Sequence, residues 1–537
     1  MKQGFKVKLC LKDLDNKQAW RNAGVTLPAF DIATMRRATR KGCTWMHFGA
    51  GNIFRGFPAA RMQDLLEKGL VKTGIVVGEG FDFQIIDDIY KKCDNLCLLA
   101  TLKSDATVDT RVIASVAEAY KCSPAYPEDY EALKAFFRNP VLQMVSFTIT
   151  EKGYSTVPPY VQEDILRGPE NCSTIICMVT ALAYERFKAG AFPFAFVSMD
   201  NCSHNGEKLQ KGVMEVAGAW LKAGVIPQAF VDYLSDPKKV AFPWSMIDKI
   251  TPRPHESVQK MLKEKGFEST DVVVTEKKTF IAPFVNTEEC EYLVIEDSFP
   301  NGRPPLEKAG IYLTDRETVN KVERMKVCTC LNPLHTAMSV MGCMLGYTKI
   351  SDEMKDEDIV RYIKRIGYVE GLPVVTDPKI LSPKQFIDDV VERRLVNPFM
   401  PDTPQRIATD TSQKLAIRFG ETVKAYMADP HLDLGRLKCI PLAQASWMRY
   451  LLGVDDTGKT FELSPDPLLD SSRAVVSSLK LGVPADYATV LKPLMENVNI
   501  FGFNLWTSPL KDRVLDAFAS MMKGPGAVRA TLHEYVK

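Results

Sequence analysis

The sequence lacks any long apolar segment. No stretch of its 537 residues approaches the run of about 18 apolar residues that a membrane-spanning helix requires. The N-terminal segment "MKQGFKVKLCLKDLDNKQAW" carries charges where a secretory signal would have its apolar core. These absences predict a cytoplasmic protein.

An excess of either charge is also missing. The 68 Lys and Arg residues nearly balance the 66 Asp and Glu residues, which gives a net charge of +2 without a long basic run. Nucleic acids and membrane surfaces are therefore not expected partners. The 13 cysteines contain no CxxC pair, and the six histidines show no ligand spacing. We expect neither a disulfide framework nor a metal site.

The sequence does contain an alternation of short apolar runs and longer amphipathic segments in its first half. The strand-like runs are 44–50, 74–80, 96–102, 142–150 and 191–199, and residues 173–190 have helical spacing. Strands separated by helices indicate a mainly parallel, doubly wound sheet.

After about residue 300, long helical patterns dominate, and a Pro- and Gly-rich segment at 296–311 marks the change. A chain of this length is too long for one compact core. We predict an α/β protein with an N-terminal Rossmann-like doubly wound sheet, residues 1–300, and a C-terminal mainly α-helical domain, residues 301–537.

A glycine-rich turn comes after the first strand-like run. In "HFGAGNIFRGF", Gly49 and Gly51 stand between a strand and a helical pattern, and Phe54 occupies the place of the usual third glycine. Such a turn lets the backbone approach a pyrophosphate at a helix N-terminus. A tight turn without a ligand is the alternative, but the context favours a dinucleotide site.

An acidic residue at the end of the second strand binds the ribose hydroxyls in such sites and repels a 2′-phosphate. Glu79 and Asp82, in "VVGEGFDF", are both candidates for this role. Their presence favours NAD over NADP as the cofactor.

Six motifs together resemble the long-chain polyol dehydrogenase family, which includes mannitol dehydrogenases and the fructuronate and tagaturonate reductases. In chain order they are "HFGAGNIFRGF", "VSFTITEKGY", "SMDNCSHNG", "MIDKITPR", "LVIEDSFPNGRP" and "TDTSQKLAIRFGET". The resemblance implies an NAD-dependent dehydrogenase or reductase acting on a secondary alcohol. It also implies these cofactor-binding residues beside Glu79 and Asp82: Gly49, Gly51, Asn52, Phe54, Arg55, Thr150 and Glu151.

The stretch "RMKVCTCLNPLHT", residues 324–336, is where the resemblance places the chemistry. Taken alone, it also fits a surface lysine, a helix-capping asparagine and a core histidine. The resemblance implies a general acid/base at Lys326, donors to the reacting oxygen at Asn201 and Asn332, a substrate contact at His335 and a link to solvent at Glu323.

The apolar neighbours Met325, Val327 and Leu331 are expected to bury the lysine amine and favour the uncharged form that a general base needs. Five residues separate Lys326 from Asn332, where the family has four. Either a bulge absorbs the extra residue or the helix begins after Lys326.

The substrate class depends on whether a carboxylate has to be bound, because a carboxylate favours an arginine fork. The cations in the relevant segment are Arg393, Arg394, Arg406, Lys414 and Arg418. Of these, Arg394, Lys414 and Arg418 are the predicted substrate contacts, together with Asp248. The segment "DTSQKLAIRF" resembles the corresponding segment of the uronate reductases.

We therefore predict reduction of D-fructuronate to D-mannonate by a monomer or homodimer. Mannitol 2-dehydrogenase and tagaturonate reductase activities are the alternatives. A nucleotide-binding sensor without turnover is the hypothesis from another class.

Overall fold

A computed structural model describes residues 6–268 and 270–537. The strands, in chain order, are β1 Val25–Thr26, β2 Trp45–Phe48, β3 Ile75–Glu79, β4 Cys97–Leu102, β5 Val108–Ile113, β6 Val116–Lys121, β7 Met144–Phe147, β8 Phe194–Ser198, β9 Val240–Ala241, β10 Ser245–Asp248, β11 Val273–Val274, β12 Phe280–Ile281, β13 Phe284–Glu288, β14 Tyr292–Glu296 and β15 Tyr312–Thr314.

The α-helices are α1 Leu11–Leu14, α2 Lys17–Asn22, α3 Ile32–Lys41, α4 Asn52–Gly56, α5 Pro58–Glu67, α6 Pro127–Arg138, α7 Pro159–Leu166, α8 Ile175–Lys188, α9 Asn205–Lys222, α10 Gln228–Ser235, α11 Glu256–Glu264, α12 Arg316–Met325, α13 Asn332–Leu345, α14 Ile350–Glu353, α15 Glu357–Lys364, α16 Pro383–Asp389, α17 Pro404–Ile407, α18 Glu421–Ala428, α19 Cys439–Tyr450, α20 Leu469–Val476, α21 Tyr487–Met495, α22 Val498–Phe501, α23 Lys511–Met521 and α24 Ala527–Val536. Among the described residues, none of these helices has the length and apolar character needed to cross a membrane.

Two shorter kinds of helical turn complete the chain. The π-helical turns are Ile86–Lys91, Lys326–Cys330, Arg365–Gly371, Val390–Arg394 and Ala416–Gly420. The 3₁₀ turns are Glu151–Tyr154, Leu306–Ala309, Leu372–Val374, Thr411–Gln413 and Leu434–Arg436.

The central sheet is wholly parallel, with the strand order β6-β3-β2-β7-β8-β9. This is the order of the doubly wound dinucleotide-binding fold, with the strand order reversing beside β2. Every residue of β2, β3 and β8 is buried, as expected for a parallel sheet covered on both faces. The predicted Rossmann-like sheet is confirmed.

Both faces of this sheet are packed because successive strand residues point to opposite sides. Met46 and Phe48 of β2 join one apolar cluster with the helices α6, α8 and α9. Trp45 of the same strand joins a second cluster with α5 and the Ile86–Lys91 turn. The alternation therefore divides one short strand between two cores.

One predicted strand lies in a different sheet. β4, within the run 96–102, belongs to a mixed sheet of order β1-β5-β4-β13, where it pairs antiparallel with β5 and parallel with β13. The third strand of the parallel sheet is instead β6, which pairs with β3. β6 is half polar, so the apolar runs used for prediction did not include it.

The chain divides into two compact units. The first contains the described residues up to Lys103 and Thr107–Asn320, and the second contains Ser104–Ala106 and Lys321–Lys537. The division falls inside α12, whereas the predicted boundary at residues 300 and 301 lies earlier in the chain. Residues 321–537 form helices and one isolated β-bridge, so the mainly helical C-terminal domain is confirmed.

The second unit contains a carboxyl group with an unusual environment. Glu353, at the end of α14, is fully buried, and neither carboxyl oxygen has a hydrogen-bond partner among the described residues. Gly342 of α13 provides the space, because a Cβ at this position would lie 2.4 Å from Glu353 Oε1. Burial raises the pKa of Glu353 well above its usual range, and nearby Asp356 raises it further.

This environment predicts a pH-dependent stability. In the unfolded chain the Glu353 carboxyl loses its proton near pH 4.3, whereas in the folded state its raised pKa lets it keep the proton to a higher pH. The free energy of unfolding therefore falls as the pH rises from about 4.3 towards the raised pKa. We expect Glu353→Gln to melt a few °C above the wild type at pH 8 and close to it at pH 4.5. Thermal melts across this range measure the effect. Glu357→Gln, on an exposed side chain of α15, is the control. Parallel curves for wild type and Glu353→Gln would contradict the prediction.

Candidate functional site

The glycine turn lies at the carboxyl end of β2. Gly49 has φ +106°, and a Cβ on it would lie 2.3 Å from the Thr148 carbonyl oxygen, so only glycine fits. A Cβ on Gly51 would meet nothing within 4 Å. The first glycine therefore permits close packing of two strand ends, and the second leaves the backbone open to a ligand.

This turn borders a cavity of about 900 Å³ in the first unit. Its lining includes these predicted cofactor residues: Gly49, Gly51, Asn52, Glu79, Asp82 and Thr150. The cavity lies at the carboxyl ends of the parallel strands, where ligands bind in open α/β sheets. The structure thus brings six residues from three separate sequence motifs together.

The two acidic candidates have different roles in the structure. The backbone N–H groups of Ala50, Phe81 and Asp82 donate to Glu79 at 2.7, 2.8 and 3.1 Å, so Glu79 ties the glycine turn to the end of β3. Burial raises the pKa of the Glu79 carboxyl. The Asp82 carboxylate instead accepts hydrogen bonds from the hydroxyls of Thr275, at 2.6 Å, and Thr279. It therefore anchors the β11–β12 hairpin over the cavity wall.

Three predicted cofactor residues, Phe54, Arg55 and Glu151, are not among the residues that line this cavity. The Phe54 ring is fully buried and stacks on His47 with a centroid distance of 4.1 Å. The buried Arg55 guanidinium donates to the Ala282 carbonyl at 2.8 Å and to Asn52 Oδ1 at 3.0 Å. The Phe54 and Arg55 side chains support the glycine turn from the protein interior, because α4 directs them into the core.

His47, which the sequence analysis did not assign, is a fully buried residue that supports the glycine turn. Its Nδ1 lies 2.6 Å from Ser146 Oγ, and its Nε2 lies 2.9 Å from Thr148 Oγ1. The Thr148 hydroxyl then donates to the Gly49 carbonyl at 3.3 Å. Burial lowers the pKa of His47 to about 3, so the ring is neutral. Polar residues at matching positions of two apolar strands, β2 and β7, were the available signal.

A smaller cavity of about 370 Å³ in the same unit gathers other predicted residues. Thr150, Glu151, Asn201 and Asp248 all line it. Asn201 comes after β8, and Asp248 ends β10, so the cavity again lies at strand ends. Thr150 belongs to the walls of both cavities.

In the second unit, Lys326 begins a π-helical turn and is only 5% exposed. The turn Lys326–Cys330 continues directly from α12, and α13 begins at Asn332. A π turn holds one more residue than an α-helical turn, so a bulge of this kind suits the extra residue between Lys326 and Asn332. Glu323 lies in the last turn of α12 and is half-buried.

His335 lies in the first turn of α13, close to a group of cations. Its Nε2 is 3.8 Å from Asp402 Oδ2 and has no hydrogen-bond partner among the described residues. Burial lowers the pKa of His335 to about 3, and the positive charges of Arg418, Arg406, Arg394 and Lys414 lower it further. The imidazole is therefore neutral.

Of the four cations near His335, Arg394 is buried, Lys414 and Arg418 are partly buried, and Arg406 is exposed. Arg394 is 5% exposed, and Arg418 donates to the Thr336 hydroxyl. Burial lowers the pKa of Arg418 to about 10. Burial, followed by the charge of Arg418, lowers the pKa of Lys414 to about 8. The neighbouring Arg393 is more exposed and pairs with Asp389 at 3.1 Å, so its side chain is a surface ion pair.

Comparison with known proteins relates both parts of the chain to one family. Residues 44–308 match the mannitol dehydrogenase Rossmann domain, and residues 318–509 match the mannitol dehydrogenase C-terminal domain. The chain is 51% identical to the D-mannonate oxidoreductase of Thermotoga maritima, over 99% of each chain.

Two solved structures are similar along almost their whole length. A substrate-free D-sorbitol dehydrogenase has a TM-score of 0.77 at 25% identity, covering 95% of this chain and 98% of that one. The Pseudomonas fluorescens mannitol 2-dehydrogenase, in a ternary complex with NAD and D-mannitol, has a TM-score of 0.68 at 25% identity, covering 98% and 99%.

Proposed function

The chain belongs to the mannitol dehydrogenase family, and from this premise we propose that it is an NAD-dependent oxidoreductase that interconverts D-fructuronate and D-mannonate. The observation that carries the choice of a sugar acid is the group of partly or fully buried cations around His335, namely Arg394, Lys414 and Arg418. Arginine and lysine form strong charge-assisted hydrogen bonds with carboxylates, so this group of cations suits a substrate that carries one.

The larger cavity of the first unit fits a dinucleotide. Gly51 leaves its backbone open, and Glu79 stands at the end of the second strand of the fold, where a carboxylate meets ribose hydroxyls. In this cavity, bound NAD⁺ would supply the hydride acceptor for alcohol oxidation, and bound NADH would supply the hydride donor for ketone reduction.

The residues of the stretch 324–336 would handle the proton. In the direction of oxidation, Lys326 takes the proton of the substrate hydroxyl, and in reduction it gives that proton back. The side-chain amide of Asn332 donates a hydrogen bond to the reacting oxygen and stabilises its developing negative charge. The unsatisfied Nε2 of His335 binds a further substrate oxygen. Glu323 would pass the proton from Lys326 to solvent.

Residues of the smaller cavity would assist. We assign to Asn201 the role of a second amide donor to the reacting oxygen, and to Asp248 a contact with a substrate hydroxyl. Amides suit this role because they stabilise an alkoxide without changing protonation state.

A substrate panel tests the proposal. The purified protein is mixed with NADH and, separately, with D-fructuronate, D-tagaturonate and D-fructose, and loss of absorbance at the reduced-nicotinamide band is followed. We expect the highest kcat/KM with D-fructuronate. A preference for fructose would assign a mannitol 2-dehydrogenase, and NADH binding without oxidation by any compound would favour a sensor.

A carboxylate contact from Lys414 predicts a pH effect. With a pKa of about 8, its ammonium group is present below pH 8 and is lost as the pH rises above it. We therefore expect kcat/KM for D-fructuronate to fall above about pH 8, because this parameter reports the free enzyme. Lys414→Arg should move this loss to higher pH, since arginine stays charged. Profiles that coincide for the two proteins would contradict this role.

A further inference from the structure

A strained backbone position of the first unit lines both the larger and the smaller cavity. Thr150 has φ +66° and ψ 158°, a conformation that is essentially restricted to glycine. A β-branched side chain is especially unfavourable at positive φ. Such a residue persists only where its surroundings impose the conformation, and such sites cluster where ligands are held.

The carboxylate of Asp200 is hydrogen-bonded to the backbone at this position. Its Oδ1 accepts the backbone N–H of Thr150 at 2.9 Å, and its Oδ2 accepts the N–H of Ile149 at 3.0 Å. The buried Tyr154 hydroxyl donates to the same Oδ2. Asp200 comes after β8, whereas Thr150 comes after β7, so one side chain ties together the ends of two adjacent strands.

Asp200 is itself held firmly. The side-chain amide of Asn205 donates to the Asp200 carbonyl at 3.0 Å and to the Ser245 hydroxyl at 3.0 Å. The Tyr154 hydroxyl lies 2.8 Å from Ser198 Oγ, which adds a second support at the end of β8. The carboxylate therefore acts from a fixed position.

Thr150 contributes to the walls of both the larger cavity, with the glycine turn, and the smaller cavity, with Asn201. If the larger cavity holds NAD with the adenosine ribose at Glu79, the nicotinamide would reach the part of the cavity lined by Thr150, which also lines the smaller cavity with Asn201. Thr150 would then lie beside both the ring and the carbon that exchanges the hydride, without separating them.

We propose that Asp200 is a positioning residue that holds Thr150 in its strained conformation and so sets the distance between nicotinamide and substrate; this inference rests on the proposed function. Hydride transfer depends steeply on this distance, whereas cofactor affinity is distributed over the whole dinucleotide. Loss of Asp200 should therefore lower kcat and leave the Kd for NADH nearly unchanged.

The test compares Asp200→Asn with the double variant Asp200→Asn/Thr150→Gly. Asparagine removes one of the two acceptors, and its amide group then faces a backbone N–H. We expect kcat with D-fructuronate to fall about 10- to 100-fold while the Kd for NADH changes little. The primary isotope effect with 4-deuterated NADH should rise, because hydride transfer becomes the slow step.

Glycine adopts the same φ and ψ without a Cβ, so the double variant should recover most of the lost kcat. Asp129→Asn is the matched control, because it removes a carboxylate that accepts the Lys121 backbone N–H elsewhere in the unit. Its isotope effect should equal that of the wild type.

A second readout does not require turnover. The fluorescence of bound NADH reports the surroundings of the reduced ring, so its enhancement should change in Asp200→Asn and return towards wild type in the double variant. A folded double variant that recovers neither kcat nor fluorescence would overturn the proposal, as would a loss of NADH affinity with an unchanged isotope effect. If the wild type binds NADH but reduces no sugar acid, the proposed function fails, and the fluorescence comparison still decides the role of Asp200.

Discussion

Replacing Lys326 with alanine is expected to lower kcat for D-fructuronate reduction by about 10²–10⁴-fold, the usual contribution of a general acid or base. The amine is buried at the start of a π turn, where water cannot readily take over proton transfer. NADH affinity should stay close to the wild-type value, because the residues that line the larger cavity are unchanged. Steady-state kinetics and a fluorescence titration with NADH measure the two quantities.

Two controls show whether the loss reflects chemistry. A small primary amine added to Lys326→Ala should restore part of the activity, because it supplies the missing proton carrier. Lys355→Ala, which removes a lysine whose side chain is 78% exposed, should keep wild-type kcat. Intact turnover in Lys326→Ala would remove this lysine from the mechanism while leaving the fold and the cofactor site unaffected.

Replacing Arg418 with methionine is expected to reduce kcat/KM for D-fructuronate by about 10²-fold, because charge-assisted hydrogen bonds to a carboxylate are worth about 1.5–3 kcal/mol each. Methionine retains much of the apolar stem, and the Thr336 hydroxyl loses its donor. For D-fructose, which has no carboxylate, the change should be much smaller. The ratio of the two kcat/KM values is the measurement.

Arg393→Met is the control for this substitution. Arg393 lies in the Val390–Arg394 turn, has a side chain that is 44% exposed, and pairs with Asp389. Removing it should leave the selectivity ratio unchanged, because an exposed ion pair contributes little. Equal losses with D-fructuronate and D-fructose in Arg418→Met would contradict a carboxylate contact and indicate a general effect on the helical unit.

Much of the fold is encoded in local sequence. The runs that became β2, β3, β7 and β8 are mostly apolar, which is the pattern of strands buried on both faces. The glycine turn was identifiable because its positive φ and close strand contact allow no other residue at Gly49. The order of the six motifs pointed to the mannitol dehydrogenase family, to which the chain belongs.

Other features depended on pairing between distant segments. β6 took the place expected for β4 because strand order is set by which hydrogen-bonding edges meet, and a half-polar strand gives no apolar signal. Asp82 and Glu79 are equivalent by sequence, yet the hydroxyls of Thr275 and Thr279 engage only Asp82. The acceptor role of Asp200 towards Thr150 likewise joins residues 50 positions apart.

The amino-acid sequence by itself determined the parallel sheet, the glycine turn and the identities of the lysine, asparagine and histidine in the stretch 324–336. Only the tertiary structure decided which of two adjacent arginines, Arg393 or Arg394, is buried. Each residue added by a π turn rotates the next part of the helix by about 100°, so helical periodicity loses its phase there. Packing of the surrounding helices then selects the face that carries the buried charge.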